Sequence, residues 1–188
     1  IVTSALFGVS FFRLGEHNDP LVVLCAIIIA ASLGFLFYNL SEKRSTKIFM
    51  GDTGSMILGF LLAFTCMSFI DIFIAKKDDV FYHLQAAPVI AVAILILPIV
   101  DTITVIITRI YHGKSVLSAD KNHIHHKLLN LGLSHKRSTA YIIIYFLLII
   151  AVAYFLRHLN VNYLLGIIMM LGFLGAYLPI FLLKFKKD

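Results

Sequence analysis

The chain has 188 residues, 60% of them hydrophobic and 14% charged, with a mean hydropathy of +0.95. Soluble domains carry about 25% charged residues, so this composition excludes an ordinary water-soluble enzyme and points to helices embedded in a lipid bilayer. The formal charge of +6 does not imply nucleic acid, because the basic residues flank apolar runs instead of forming one stripe; anionic lipid headgroups or a phosphorylated substrate fit better.

Apolar runs recur at about 20 residues, the length that crosses a hydrocarbon core as helix. In chain order the spans are expected at Pro20–Leu40, Gly54–Ala75, Ala86–Tyr111, Thr139–Leu159 and Val161–Leu183. Ile1–Leu14 is apolar but short and has no initiating methionine, which reads as the remainder of a longer span and makes the chain the C-terminal part of a larger protein. A signal peptide is disfavoured there, since neither a basic leader nor a small-residue cleavage site is present. The expected fold is all-α: a polytopic transmembrane helical bundle of about five full spans plus a truncated first one, forming a single membrane domain over 1–188. Cys25 and Cys66 lie inside apolar runs and read as packing residues.

The lysines and arginines assign the faces. Loops 41–53 and 112–138 and the C-terminal tail hold most of them, including Lys43, Arg44, Lys47, Lys114, Lys121, Lys136 and Arg137. The opposite side keeps Arg13, Lys76, Lys77 and Arg157. Cytoplasmic loops retain basic residues, so both polar loops are expected at the cytoplasmic face.

The first of these loops contains Phe49-Met50-Gly51-Asp52-Thr53-Gly54-Ser55 and runs straight into an apolar helix, with Ser55 or Thr53 available as its cap. Glycines allow close approach of backbone to a ligand, exposed N–H groups at a helix start favour phosphate, and a carboxylate there suits Mg²⁺ bridged to a diphosphate. The same letters also fit a plain turn and helix cap. Asp-Thr-Gly-Ser occurs in soluble aspartic proteases as well, but the β-rich fold and second aspartate that those require are not visible. An intramembrane aspartyl protease needs a glycine where Phe49 stands.

The second loop, His112–Ser138, holds five of the eight histidines. Within it Asp120 or Asn122 is placed to cap a short helix running to about Leu131, where Gly132 supplies a stop. Ile124, Leu128 and Leu131 would share one face of that helix; His123, His126, Lys127 and Asn130 would form a cationic edge opposite, with His125 between them. Three histidines in four residues beside Asp120 and Lys121 favour phosphate handling or proton relay over a zinc or di-iron centre. Two acids fall within apolar runs. Asp101, three residues after Pro98, is the functional candidate of the pair, because a carboxylate inside a membrane is costly and proline can open the helix locally. Asp71 reads as an interfacial residue.

Taken together, Tyr38-Asn39, the Phe49–Ser55 string, Pro98-Ile99-Val100-Asp101-Thr102 with Arg109 and Gly113, and Asp120-Lys121-Asn122-His123-Ile124-His125-His126 resemble the polyprenyl-phosphate N-acetylhexosamine-1-phosphate transferases. The His-Ile-His-His version resembles the branch that starts O-antigen, enterobacterial common antigen or teichoic-acid linkage synthesis. The resemblance covers the C-terminal part of the family pattern; the upstream Asp-Asp and Asp-Gly-x-Asp-Gly segments are absent, and Leu40–Ile48 replaces a shorter family link after Asn39.

The resemblance implies transfer of N-acetylhexosamine-1-phosphate from a UDP-sugar to undecaprenyl phosphate with release of UMP, in a multi-pass protein of the bacterial plasma (inner) membrane whose site faces the cytoplasm. It implies Mg²⁺, with Mn²⁺ as substitute, on Asp52. It also implies catalytic roles for His123, His125, His126 and Asp101, and substrate contacts from Asn39, Phe49, Arg109 and Lys121; a homodimer is compatible with it. The alternative is a non-catalytic transporter or channel component using Asp101 and the histidines, for which repeat symmetry would be expected and is not seen.

Overall fold

A computed structural model describes residues 1–15, 18–39, 45, 47–75, 86–113, 115 and 123–185. They form eight helices in the order α1 (Val2–Arg13), α2 (Asp19–Asn39), α3 (Gly51–Ala75), α4 (Ala87–Ile94), α5 (Ile96–Tyr111), α6 (Ile124–Asn130), α7 (His135–Phe155) and α8 (Val161–Phe185), with no strand among the described residues. Helices α2, α3, α7 and α8 are each long and apolar enough to cross a membrane, and α4 with α5 makes a fifth span if the bent pair counts as one. The chain is thus an all-helical, polytopic membrane protein. Helices suit this solvent because every interior backbone group is satisfied within its own segment. Two compact units divide the chain, Ile1–Ala87 and Pro88–Asp188.

In the first unit α1 packs on α2 and α3. Gly8 permits the approach, since a Cβ there would stand 3.1 Å from Cys25 Cβ. Phe7 and Phe11 of α1 close around Phe69 of α3 at centroid distances of 5.5 and 6.4 Å, and Phe73 follows Phe69 at 4.6 Å. Such tilted and edge-on contacts match the ring quadrupoles and fix the depth at which α1 meets α3. Asp71 lies on α3 with its side chain exposed.

In the second unit α5 and α7 both pack on α8, and α6 sits against α7 and α8. Small residues make the seams, as expected where lipid tails provide no hydrophobic drive between helices. Gly172 receives Ile96 and Val100, and Gly175 receives the ring of Tyr145, whose hydroxyl donates to the Leu171 carbonyl at 2.6 Å.

The run Ala86–Tyr111 is not one straight span. It breaks at Leu95, and α4 and α5 meet at a 66° bend. Pro98 explains the position: with no N–H it cannot bond the carbonyl of Ile94, and its ring is tolerated only in the first turn of a new helix. Asp101 follows one turn later and is carried by the rigid part of α5.

Candidate functional site

In the first unit Asn39 ends α2 and donates from Nδ2 to the Ile48 carbonyl at 3.0 Å, across a nine-residue separation. That bond pins the backbone immediately before Phe49, whose ring is 83% exposed. Gly51 then takes φ +65°, a left-handed value that a side chain would strain. Asp52 follows in the first turn of α3, with its side chain exposed. The carboxylate is therefore helical and not part of a loop; α3 begins three residues earlier than the apolar pattern predicts, because glycine at the boundary lets the chain turn directly into helix. The expected cap differs as well. Ser55 donates from Oγ to the Asp52 carbonyl at 2.9 Å, within the helix, and so does not satisfy the free N–H groups at its start. Those groups and the helix dipole favour an anion beside Asp52.

In the second unit the polar residues converge on α6. Its start is held by a residue from another helix: Asp101 Oδ1 accepts from the Ile124 N–H at 2.8 Å, and Asp101 Oδ2 accepts from His123 Nδ1 at 2.8 Å. Asp101 is 28% exposed and His123 45%, so the pair is partly withdrawn from water. His123 stands at the N-cap position with extended backbone and makes no cap bond itself. The sequence reading placed the cap at Asp120 or Asn122; both lie outside the described residues, as does Lys121, and among the described residues Asp101 takes the task. The predicted stop holds. Gly132, at φ +91°, donates to the Leu129 carbonyl at 2.9 Å and Leu133 donates to the Leu128 carbonyl at 3.3 Å, the Schellman pairing that closes a helix.

The expected face of α6 needs one correction. Ile124 and Leu128 are buried as predicted, but Lys127 is also buried, at 7% exposure, and does not join an exposed cationic edge. Both α7 and α8 lie against this short helix, so its own periodicity does not decide which of its residues are covered. His126 and Asn130 remain exposed.

His125 lines a pocket of about 170 Å³ together with Leu97, Pro98, Asp101, Ile124 and Ile142. Its ring centroid lies 5.9 Å from that of His126 and 5.5 Å from that of His135, the latter tilted by 31°. Burial, followed by the neighbouring His135 and His126, pushes the His125 pKa below the usual histidine range. His135 is the residue that sequence reasoning missed. The signal was its place as the first residue of α7 just after the Gly132 stop, since a Schellman turn folds the following segment back along the helix it ends.

Arg109 lies in the last turn of α5, partly buried, two turns beyond Asp101. His112 closes the same helix, with Nδ1–H donating to the Thr108 carbonyl at 2.7 Å. The structure thus joins Asp101, His123 and His125 in the second unit and places His126 beside them; Asn39, Phe49 and Asp52 belong to the first. Among the described residues, no group of three or more His, Cys, Asp or Glu side chains is arranged to hold a metal ion. A single exposed carboxylate fits a hard cation that keeps most of its waters and binds substrate phosphates, whereas it would not suffice for a structural zinc.

The family model for glycosyl transferase family 4 matches residues 1–70. The chain is 38% identical over 133 residues to the "Probable undecaprenyl-phosphate N-acetylglucosaminyl 1-phosphate transferase" of Bacillus subtilis (strain 168), covering 71% of this chain and 34% of the relative. It is 36% identical over 141 residues to the decaprenyl-phosphate N-acetylglucosaminephosphotransferase of Mycolicibacterium smegmatis, covering 71% and 33%. With the undecaprenyl-phosphate alpha-N-acetylglucosaminyl 1-phosphate transferase of Escherichia coli (strain K12) the identity is 29% over 136 residues, covering 69% and 35%. The chain spans about a third of the length of the curated relatives it matches. No solved structure matches it. By these sequence matches the chain belongs to glycosyl transferase family 4, in the company of polyprenyl-phosphate N-acetylglucosamine-1-phosphate transferases.

Proposed function

We propose that the protein to which this chain belongs transfers N-acetylhexosamine-1-phosphate from a UDP-sugar to undecaprenyl phosphate, releasing UMP at the cytoplasmic face of a bacterial plasma membrane. The observation that carries this reading is the His-Ile-His-His string presented on a helix whose start is held by Asp101, next to a pocket that His125 and Asp101 line. Imidazoles on a fixed turn suit phosphate groups, and the relatives' names describe polyprenyl-phosphate acceptors.

The reaction moves a phosphoryl-linked sugar between two anions, so the protein's task is positioning and charge stabilisation. Asp52, at the positive end of α3, would hold Mg²⁺ or its substitute Mn²⁺, which when bound neutralises charge on the donor diphosphate. Asn39 keeps the Ile48–Gly51 backbone in place, and the exposed ring of Phe49 offers a stacking face for the nucleotide base. His123, His125 and His126 orient phosphate oxygens, with Arg109 and Lys121 as further cationic partners. The lipid tail of the acceptor remains in the bilayer beside the spanning helices.

A transporter or channel is the weaker reading. An acid on an ion path must exchange its proton or ion, whereas both oxygens of Asp101 are engaged in hydrogen bonds. The test is Asp52→Ala in the full-length protein, reconstituted with undecaprenyl phosphate and UDP-N-acetylglucosamine. Loss of metal-dependent UMP release by at least about 100-fold is expected, and near-normal turnover refutes the metal assignment.

A further inference from the structure

We infer that Asp101 is a positioning residue and not a catalytic one: its carboxylate sets the tautomer and orientation of His123, and the same carboxylate holds the first turn of α6 on which the other histidines ride. The inference rests on the proposed function for what His123 acts upon; the geometry it uses does not.

The two oxygens divide the work. Oδ1 takes the Ile124 N–H and Oδ2 takes His123 Nδ1, each at 2.8 Å, from positions adjacent in sequence. A carboxylate only accepts, so His123 must carry its proton on Nδ1. Nε2 is left as the nitrogen that meets substrate, as an acceptor when the ring is neutral and as a donor when it is protonated. Each oxygen of Asp101 is thus committed to the start of α6, one to its backbone and one to its histidine. Its own placement is secure: it stands one turn past Pro98 on α5, whose buried residues Ile96 and Val100 lock into Gly172 of α8. A rigid helix therefore holds the carboxylate, the carboxylate holds the imidazole, and the imidazole presents one defined nitrogen. This is the relation by which an orienting acid raises the efficiency of a histidine without touching the reactants.

The substitution Asp101→Asn separates the two tasks. A backbone N–H is an unchangeable donor, so the asparagine oxygen must remain on Ile124. The amide NH₂ then faces His123 Nδ1, and two donors cannot share that contact. Imidazole resolves the conflict by moving its proton to Nε2. The variant thus keeps the helix start and inverts the tautomer.

The experiment uses the full-length protein in lipid nanodiscs, with ¹⁵N-labelled histidine, His123 being assigned by comparison with His123→Gln. Wild type is expected to show Nδ1 protonated and Nε2 bare at pH values where the ring is neutral, and Asp101→Asn the reverse. In turnover, Asp101→Asn is expected to lower kcat by at least about 30-fold with KM for the UDP-sugar changed less than about 3-fold. Asp101→Asn combined with His123→Gln is expected to be no slower than His123→Gln alone, because Asp101 acts through His123. A bare Nδ1 in the wild type, an unchanged tautomer in the variant, or a full independent loss in the double variant would each overturn the inference. Should Asp101→Asn fail to accumulate, the wild-type spectrum still decides the first of these. If the wild-type protein releases no UMP at all, the proposed function fails while the spectroscopic result stands by itself.

Discussion

Replacing Gly175 by alanine tests the packing that supports the histidine helix. In an exposed helix the change would stabilise by about 1 kcal/mol, since glycine loses more backbone freedom than alanine. Here the new Cβ would enter the ring of Tyr145, meeting Cε1, Cδ1 and Cζ. Retreat of the ring is resisted on two sides: its hydroxyl donates to the Leu171 carbonyl at 2.6 Å, and its face stacks on Tyr141 at 6.1 Å with an interplanar angle of 4°. Moving it forfeits a hydrogen bond of about 0.5–1.5 kcal/mol and adds overpacking of about 1–3 kcal/mol. The net expectation is destabilisation by about 1–3 kcal/mol, the sign opposite to that of helix propensity. Ile124 of α6 lines the same small cavity as Tyr145, Gly172 and Gly175, so the disturbance should reach the start of the histidine helix. The assay is thermal unfolding of the full-length protein in detergent, with Gly175→Ala, Tyr145→Leu and the double variant compared. The double variant should lose less than the sum of the singles, because removing the ring removes the collision. Unchanged or raised thermal stability for Gly175→Ala would refute the reasoning.

The remaining expectations concern the site. Gly132→Ala forces a side chain into φ +91° and should cost about 1–2 kcal/mol locally, read as faster amide exchange across Ile124–Leu131. The folded protein holds fewer protons on His125 than the unfolded chain does between the lowered pKa and the ordinary histidine range. Stability from this group is therefore fully present above the ordinary value and is lost as pH falls through the lowered one. Protection factors in α6, taken against the intrinsic exchange rate at each pH, should fall on acidification through that window, and His135→Phe should weaken the dependence by removing one of the neighbouring imidazoles. Asn39→Ala releases the Ile48 carbonyl and is expected to raise KM for the UDP-sugar by a few-fold, with kcat kept within about 3-fold. Ser134→Ala should cost less than the roughly 1 kcal/mol of a good N-cap, because the Arg137 N–H lies 3.4 Å from Ser134 Oγ; calorimetry showing a larger loss would contradict that weak cap.

The sequence alone determined that the chain is a helical membrane protein, because 20-residue apolar runs have no other stable form in lipid. It also singled out the short strings on which the proposed function rests: Asp52 between glycines, Asp101 after a proline, and the histidine loop with its stop at Gly132. These are local facts, written in residue type and spacing. What it did not determine depends on contacts between residues distant in the chain. The break at Leu95 was half legible, since Pro98 marks it but does not give the 66° bend. That Asp101 starts α6 and holds His123 required α5 and α6 to meet across 22 and 23 residues of sequence. That Lys127 is buried and His135 stands beside His125 followed from α7 and α8 covering a helix too short to choose its own exposed face. Periodicity reports which residues share a side of one helix; only tertiary packing decides which side faces a neighbour and which polar group there finds its partner.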